Sequence, residues 1–172
     1  MNILRTHKHP DIGSLDGKTI FTRLATRSIC LIDDTILLLY TERYDDYSLP
    51  GGGIEPNENK IQGMIRELKE ETGAEDIQNI EAFGVYEEYR PWYKPDYDIQ
   101  HILSYCYTCH VKYELGAPKL ESYELKNGMT ARWVKLYEAI SHNEKTIALS
   151  DKKGISIERE TFLLKLIAES LV

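Results

Sequence analysis

Three glutamates, Glu67, Glu70 and Glu71, crowd into little more than one helical turn directly after Arg66. Like charges at that spacing repel, weakening an isolated helix by about 0.2–0.5 kcal/mol per pair. Two of the three also fall near a helix C-terminus, where the dipole disfavours anions. A hard divalent cation offsets both costs. Mg²⁺, or Mn²⁺ in its place, takes oxygen ligands and is shared between a few carboxylates, waters and phosphate oxygens. Arg66, one turn before Glu70, can hold a carboxylate by a forked hydrogen bond.

The helix that must carry these groups is marked at both ends. Asn59 is a good N-cap and Gln62, three residues on, completes a capping-box spacing, so the helix is expected to begin at Lys60. Gly73 is a natural terminator. Ile61, Met64, Ile65, Leu68 and Thr72 recur at helical spacing and form one packing face, which leaves Glu67, Glu70 and Glu71 on the other. Ahead of the helix, Gly51, Gly52 and Gly53 supply a loop without side-chain obstruction, leaving room for a ligand beside the carboxylates.

From Gly52 to Ala74 the chain resembles the signature of the Nudix hydrolase family, G-x(5)-E-x(7)-R-E-U-x-E-E-x-G-U, with U a bulky aliphatic residue. Gly52, Glu58, Arg66, Glu67, Glu70, Glu71 and Gly73 fill the fixed positions and Leu68 the first aliphatic one. Ala74 is smaller than the family norm, and Asn57 stands where glycine is common. Seven fixed letters at set spacing arise by accident in roughly one such chain in a million. The resemblance implies an α/β/α sandwich with a mixed sheet. It also implies Mg²⁺-dependent hydrolysis of a phosphoanhydride, in a nucleoside diphosphate linked to another moiety or in a nucleoside triphosphate. Glu67, Glu70 and Glu71, with Glu58, are then the expected metal ligands. The family commonly adds an acid from a loop outside the signature, for which Glu124 is the first choice and Glu121, Glu87 and Glu88 the alternatives. Two other activities fit the same resemblance: a regulator that binds a nucleotide without cleaving it, and an isomerase of isoprenoid diphosphates, for which no cysteine is convincingly placed.

A chain of 172 residues with 42% hydrophobic content suits a single domain with a sizeable core. Its net charge of −7 argues against an extended nucleic acid held by general electrostatics. It does not argue against a small nucleotide whose charge a metal neutralises. Three cysteines give no disulfide framework and favour a reducing, cytoplasmic setting. Cys106 and Cys109 form a C-x-x-C, but within a strand that odd spacing sends them to opposite faces. The polar leader, residues 1–18, lacks the apolar core of a signal peptide, and no apolar run approaches a membrane span. His7 and His9 within it read as solvated.

The rest of the chain reads as strands at Thr19–Ile32 and Thr35–Arg43, joined by a turn at Asp33 and Asp34, with Ile36 to Tyr40 apolar enough to be buried on both faces. Further strands are expected at Ile80–Tyr89, Asp98–Tyr113 and Met129–Leu136, and helices at Tyr137–Leu149 and Ile157–Leu171 pack on the domain. Between these lie two connections. Glu114–Gly128 is polar. Glu87–Tyr97 is aromatic, and its Pro91 and Pro95 make it a loop. There Trp92 and Tyr93 are candidates to stack on a nucleobase and Arg90 to reach a phosphate. The same aromatics suit a cover for the core or for a second copy of the chain in a homodimer.

Overall fold

A computed structural model describes residues 1–172. The elements follow in the order β1 (Ile3–Lys8), β2 (Ile20–Ile29), β3 (Leu31–Ile32), β4 (Thr35–Thr41), β5 (Asp46–Ser48), α1 (Lys60–Thr72), β6 (Gln78–Pro91), β7 (Ile99–His110), α2 (Ser122–Lys126), β8 (Met129–Lys135), α3 (Leu136–Leu149) and α4 (Ile157–Leu171). The strands form two sheets. The first runs β1-β6-β7-β2 and is mixed, with β1 parallel to β6, β6 antiparallel to β7 and β7 parallel to β2. The second is antiparallel, with β4 pairing β3, β5 and β8.

Helices cover both faces, as an α/β/α sandwich requires. Ile36 and Leu38 of β4 join Ile29, Tyr86 and Cys106 in a core closed by Leu163, Leu164 and Ile167 of α4. Leu37, from the same strand but the opposite face, packs with Met64 and Leu68 of α1 and with Cys30 and Cys109. The double burial expected of this strand is thus met. So is the division of the C-x-x-C, whose thiols enter different cores. All three cysteines are buried and free, and the Sγ atoms of Cys30 and Cys109 lie 3.3 Å apart.

Local signals set α1 as expected. Asn59 Oδ1 accepts from Gln62 N, and Gln62 Oε1 from Asn59 N, both at 2.9 Å. Gly73 ends the helix at φ +72°, with its N–H returned to Lys69 O. Ile61 departs from the expected stripe. It lies in the first turn and is exposed; burial begins at Gly63 and Met64.

Three other segments differ from the sequence reading. The leader contributes β1, an edge strand paired with β6 from Ile3↔Val85 to Lys8↔Tyr89, with a register shift between Ile3 and Arg5. The β6 strand continues through Arg90 to Pro91, so Glu87–Arg90 are ladder residues rather than loop; a proline at the last position of a strand removes little pairing. Within Glu114–Gly128 the chain forms α2, a single helical turn. No helix is long and apolar enough to cross a membrane.

Candidate active site

The glycines before α1 are extended and hydrogen-bonded to the outer edge of β2, not an unpaired loop. Ser28 N donates to Pro50 O at 2.8 Å, Thr26 N to Gly52 O at 2.9 Å and Ile54 N to Leu24 O at 3.0 Å. Gly51 holds φ +145°, and a Cβ there would run into the Thr26 carbonyl. A Cβ on Gly52 would sit 2.5 Å from Glu67 Oε1, and one on Gly53 3.0 Å from Arg23 Nη2. Side-chain-free backbone at this point lets α1 bring its carboxylates against the strand edge.

Arg66 organises the acids around it. Its fork closes on Glu58, with Nε–Oε2 at 3.1 Å and Nη2–Oε1 at 2.7 Å, rather than on Glu70 as the one-turn spacing suggests. Nη1 donates to Glu67 Oε1 at 2.8 Å and to Glu70 Oε2 at 3.3 Å, and Nη2 also reaches Gly53 O. This guanidinium, together with the Glu55 amide, holds the Glu58 carboxyl below the usual range.

Glu71 behaves differently. It is 5% exposed and accepts the Gly51 N–H at 2.6 Å through Oε2. Burial pushes its carboxyl well above the ordinary range; Glu67 and Glu124 add to the shift, while the Gly51 amide and Arg27 oppose it. Burial also raises Glu67, against the pull of Arg66 and with Glu70 and Glu124 contributing. The charge of Glu124, from a second helix, thus bears on both Glu67 and Glu71. Glu70 points outward, with 41% of its side chain exposed.

Glu124, buried in α2, is braced by its own turn: Oε2 accepts the Glu121 N–H at 2.7 Å and Oε1 the Tyr123 hydroxyl at 3.2 Å. Burial, and then the Glu124 charge, raise the Tyr123 phenol. Nowhere do three Asp, Glu, His or Cys side chains already stand as a ready-made metal cage. Arg66 draws Glu58 aside, Glu70 faces out, and Glu124 turns to its helix cap.

Two cavities meet at this wall. An open cleft of about 1060 Å³ is lined by Gly52, Gly53, Glu58, Arg66, Glu67, Trp92 and Tyr93, with Phe21 and Arg23 of β2. A smaller inner cavity of about 200 Å³ lies beyond Gly51, lined by Glu71, Glu124, Arg27, Asp46, Arg159 and Glu160. Tyr123 borders both. No cysteine lines either.

Of the aromatic segment, Trp92 and Tyr93 do reach the cleft, Trp92 with its ring centroid 5.3 Å from Phe21 and 4.5 Å from Tyr93. Arg90 does not. It sits on the inner face of β6, salt-bridged to Glu88 and within 3.3 Å of Ser156 Oγ, and Glu88 also takes Arg159 at 2.9 Å. Burial lowers the Arg90 guanidinium, which the Glu88 charge opposes. Glu87, on the opposite face, bonds Thr6 and His101. Neither acid of that pair approaches α1, whereas Glu121 borders the cleft.

A family model for the NUDIX domain matches residues 22–155. The chain belongs to the NUDIX family. Among solved structures of the NUDIX fold, a MutT protein from Bacillus halodurans superposes with a TM-score of 0.61 at 20% identity, covering 86% of this chain and 83% of that one. A NUDIX hydrolase from Nitrosomonas europaea gives 0.58 at 18% identity, covering 86% and 90%. A curated relative, cleavage and polyadenylation specificity factor subunit 5 of Dictyostelium discoideum, is 25% identical over 82% of this chain and 75% of its own length.

Several site residues carry no sequence signal. Arg27, Asp46 and Glu160 enter the inner cavity from β2, β5 and α4, and Tyr123 stands between two acids that sequence singles out for other reasons. A β2 pattern that places Phe21, Arg23, Ala25 and Arg27 on one face is a cue to Arg27 alone.

Proposed function

We propose that this NUDIX chain is a divalent-metal-dependent hydrolase of a phosphoanhydride, cleaving a nucleoside diphosphate linked to another moiety or a nucleoside triphosphate. The observation that carries this reading is the buried Glu71, fixed to Gly51 N–H and kept basic by burial beside Glu67 and Glu124. Burial outweighs the help that Glu67 receives from Arg66 and Glu71 from Arg27, and a small oxygen-seeking cation fits that deficit. Glu67 and Glu71 would hold it, with the exposed Glu70 free to turn in; Glu58 we assign to bracing Arg66. When bound, the ion supplies charge neutralisation and Lewis-acid polarisation of a phosphoryl oxygen.

The remaining work falls to the chain itself. Glu71 Oε2 is occupied by the Gly51 amide, so Oε1 is the atom to take a proton from attacking water. Glu124 stands next in line. Arg66 fixes Glu67 in place, the bare Gly52 leaves room for that carboxylate, and Trp92 and Tyr93 offer flat apolar surface to a base.

The test is phosphate or nucleotide release across nucleoside triphosphates, dinucleotides, ADP-ribose and nucleotide sugars with Mg²⁺ or Mn²⁺. Glu71→Gln keeps the acceptor for Gly51 and removes the base. We expect turnover to drop at least a hundredfold with thermal unfolding no lower than wild type. Undiminished turnover in that variant would sink the assignment. A second reading, nucleotide recognition without cleavage, is favoured by the curated relative, whose name denotes a specificity factor. Saturable binding with no release on any substrate would support it.

A further inference from the structure

We propose that Arg23 is the phosphate-binding cation of the cleft, and that it fixes the direction of the bound nucleotide, base on the Phe21–Trp92–Tyr93 wall and phosphates toward Glu67. This rests on the nucleotide reading above but not on hydrolysis. The cleft is bordered by two cationic side chains, Arg23 and Arg66. Arg66 is fully engaged, donating to Glu58, Glu67, Glu70 and the Gly53 carbonyl. Arg23 makes no hydrogen bond or ion pair with the protein. Its guanidinium rests against Gly53, where a side chain would press on it from 3.0 Å.

The order of groups along β2 gives the direction. Alternate residues of a strand share a face and stand about 6.6 Å apart. On the inner face of β2, Phe21 comes first, with ring centroids 5.3 Å from Trp92 and 5.5 Å from Tyr97. Arg23 follows, and then Ala25, bridged to Gly53 beside the carboxylates of α1. Aromatic wall, free guanidinium and acid cluster thus succeed one another at steps of about one nucleoside unit. A 5′-phosphorylated nucleoside presents the complementary series: base on the wall, its first phosphate one nucleoside length on at the guanidinium, and any further phosphate toward the acids. An arginine fork suits a phosphate better than any other group in the cleft does. Arg90, which sequence alone suggests for this task, is consumed by Glu88.

The four ribonucleosides and their 5′-monophosphates, which contain no anhydride to cleave, are titrated against the full chain in Mg²⁺ buffer by calorimetry. At least one monophosphate is expected to bind tenfold or more tightly than its nucleoside. Arg23→Ala should erase that advantage while leaving nucleoside affinity unchanged, and Arg23→Lys should restore part of it. Trp92→Ala should weaken nucleoside and monophosphate alike. A phosphate advantage that survives Arg23→Ala overturns the proposal, as does loss of nucleoside binding in that variant or the absence of binding by every pair. If the Arg23 dependence appears but no substrate is hydrolysed, the hydrolase reading fails and this one stands.

Discussion

Asp46 shows what the inner cavity costs the fold. Burial, reinforced by Glu160 and Asp45, pushes its carboxyl up to about 6, from 3.8. A carboxyl raised in the folded state stabilises through its protonated form; that contribution is complete below about pH 3.8 and is lost as pH rises through 6. Asp46→Asn should therefore be more stable than wild type at pH 8, by about 2–3 kcal/mol at most, with the gap closing toward pH 4. Urea unfolding at both pH values measures it, and a gap indifferent to pH would contradict the burial argument. Arg66 makes a complementary point. By gripping Glu58 it sets that carboxyl apart from the other signature acids. The signature letters are readable in the sequence because they lie at fixed spacing within one continuous stretch, Gly52 to Gly73. Which acid braces is not, because that depends on where the chain ahead of α1 folds back.

At the scale of elements, the pairing of residues 50–54 with β2 decides where α1 sits against the sheets. Gly51→Ala is expected to lose more than about 2 kcal/mol and most turnover, since both the backbone angle and the collision with Thr26 oppose it. Gly13→Ala is the control: Gly13 also has positive φ, but nothing stands within 4 Å of its would-be side chain, so a loss there reports strain alone. Equal losses at the two positions would show that the close approach is irrelevant. Elements with local signals are legible in the amino-acid order itself, as α1 illustrates with Asn59, Gln62 and Gly73. The bounds of α4 are equally clear from its apolar stripe. By contrast, β1 is hidden because its stability comes from β6, far along the chain, and its own residues are largely exposed. The end of β6 misleads for the converse reason: Pro91 signals a break locally, but the ladder with β7 carries the strand up to it.

Across the whole molecule, α4 ties the site to both sheets. Glu160 accepts the Leu49 N–H at 2.9 Å just ahead of the glycines, and pairs with Arg159, which in turn reaches Glu88 on β6. Removing the Glu160 carboxylate leaves Arg27 without its acidic partner and the buried Arg159 with Glu88 alone. Glu160→Ala should cost about 3–5 kcal/mol in chemical unfolding; a loss under about 1 kcal/mol would mean the network is incidental. Such a network is invisible in a linear reading, since β2, β6 and α4 contribute one or two charges each and none has a distinctive spacing. The sealed thiols carry one more implication. Cys106 sits beneath α4, whereas Cys30 and Cys109 lie beneath α1, so an alkylating reagent can reach them only as a layer lifts away. Peptide mapping after a timed iodoacetamide pulse would then reveal which flank of the sandwich opens first.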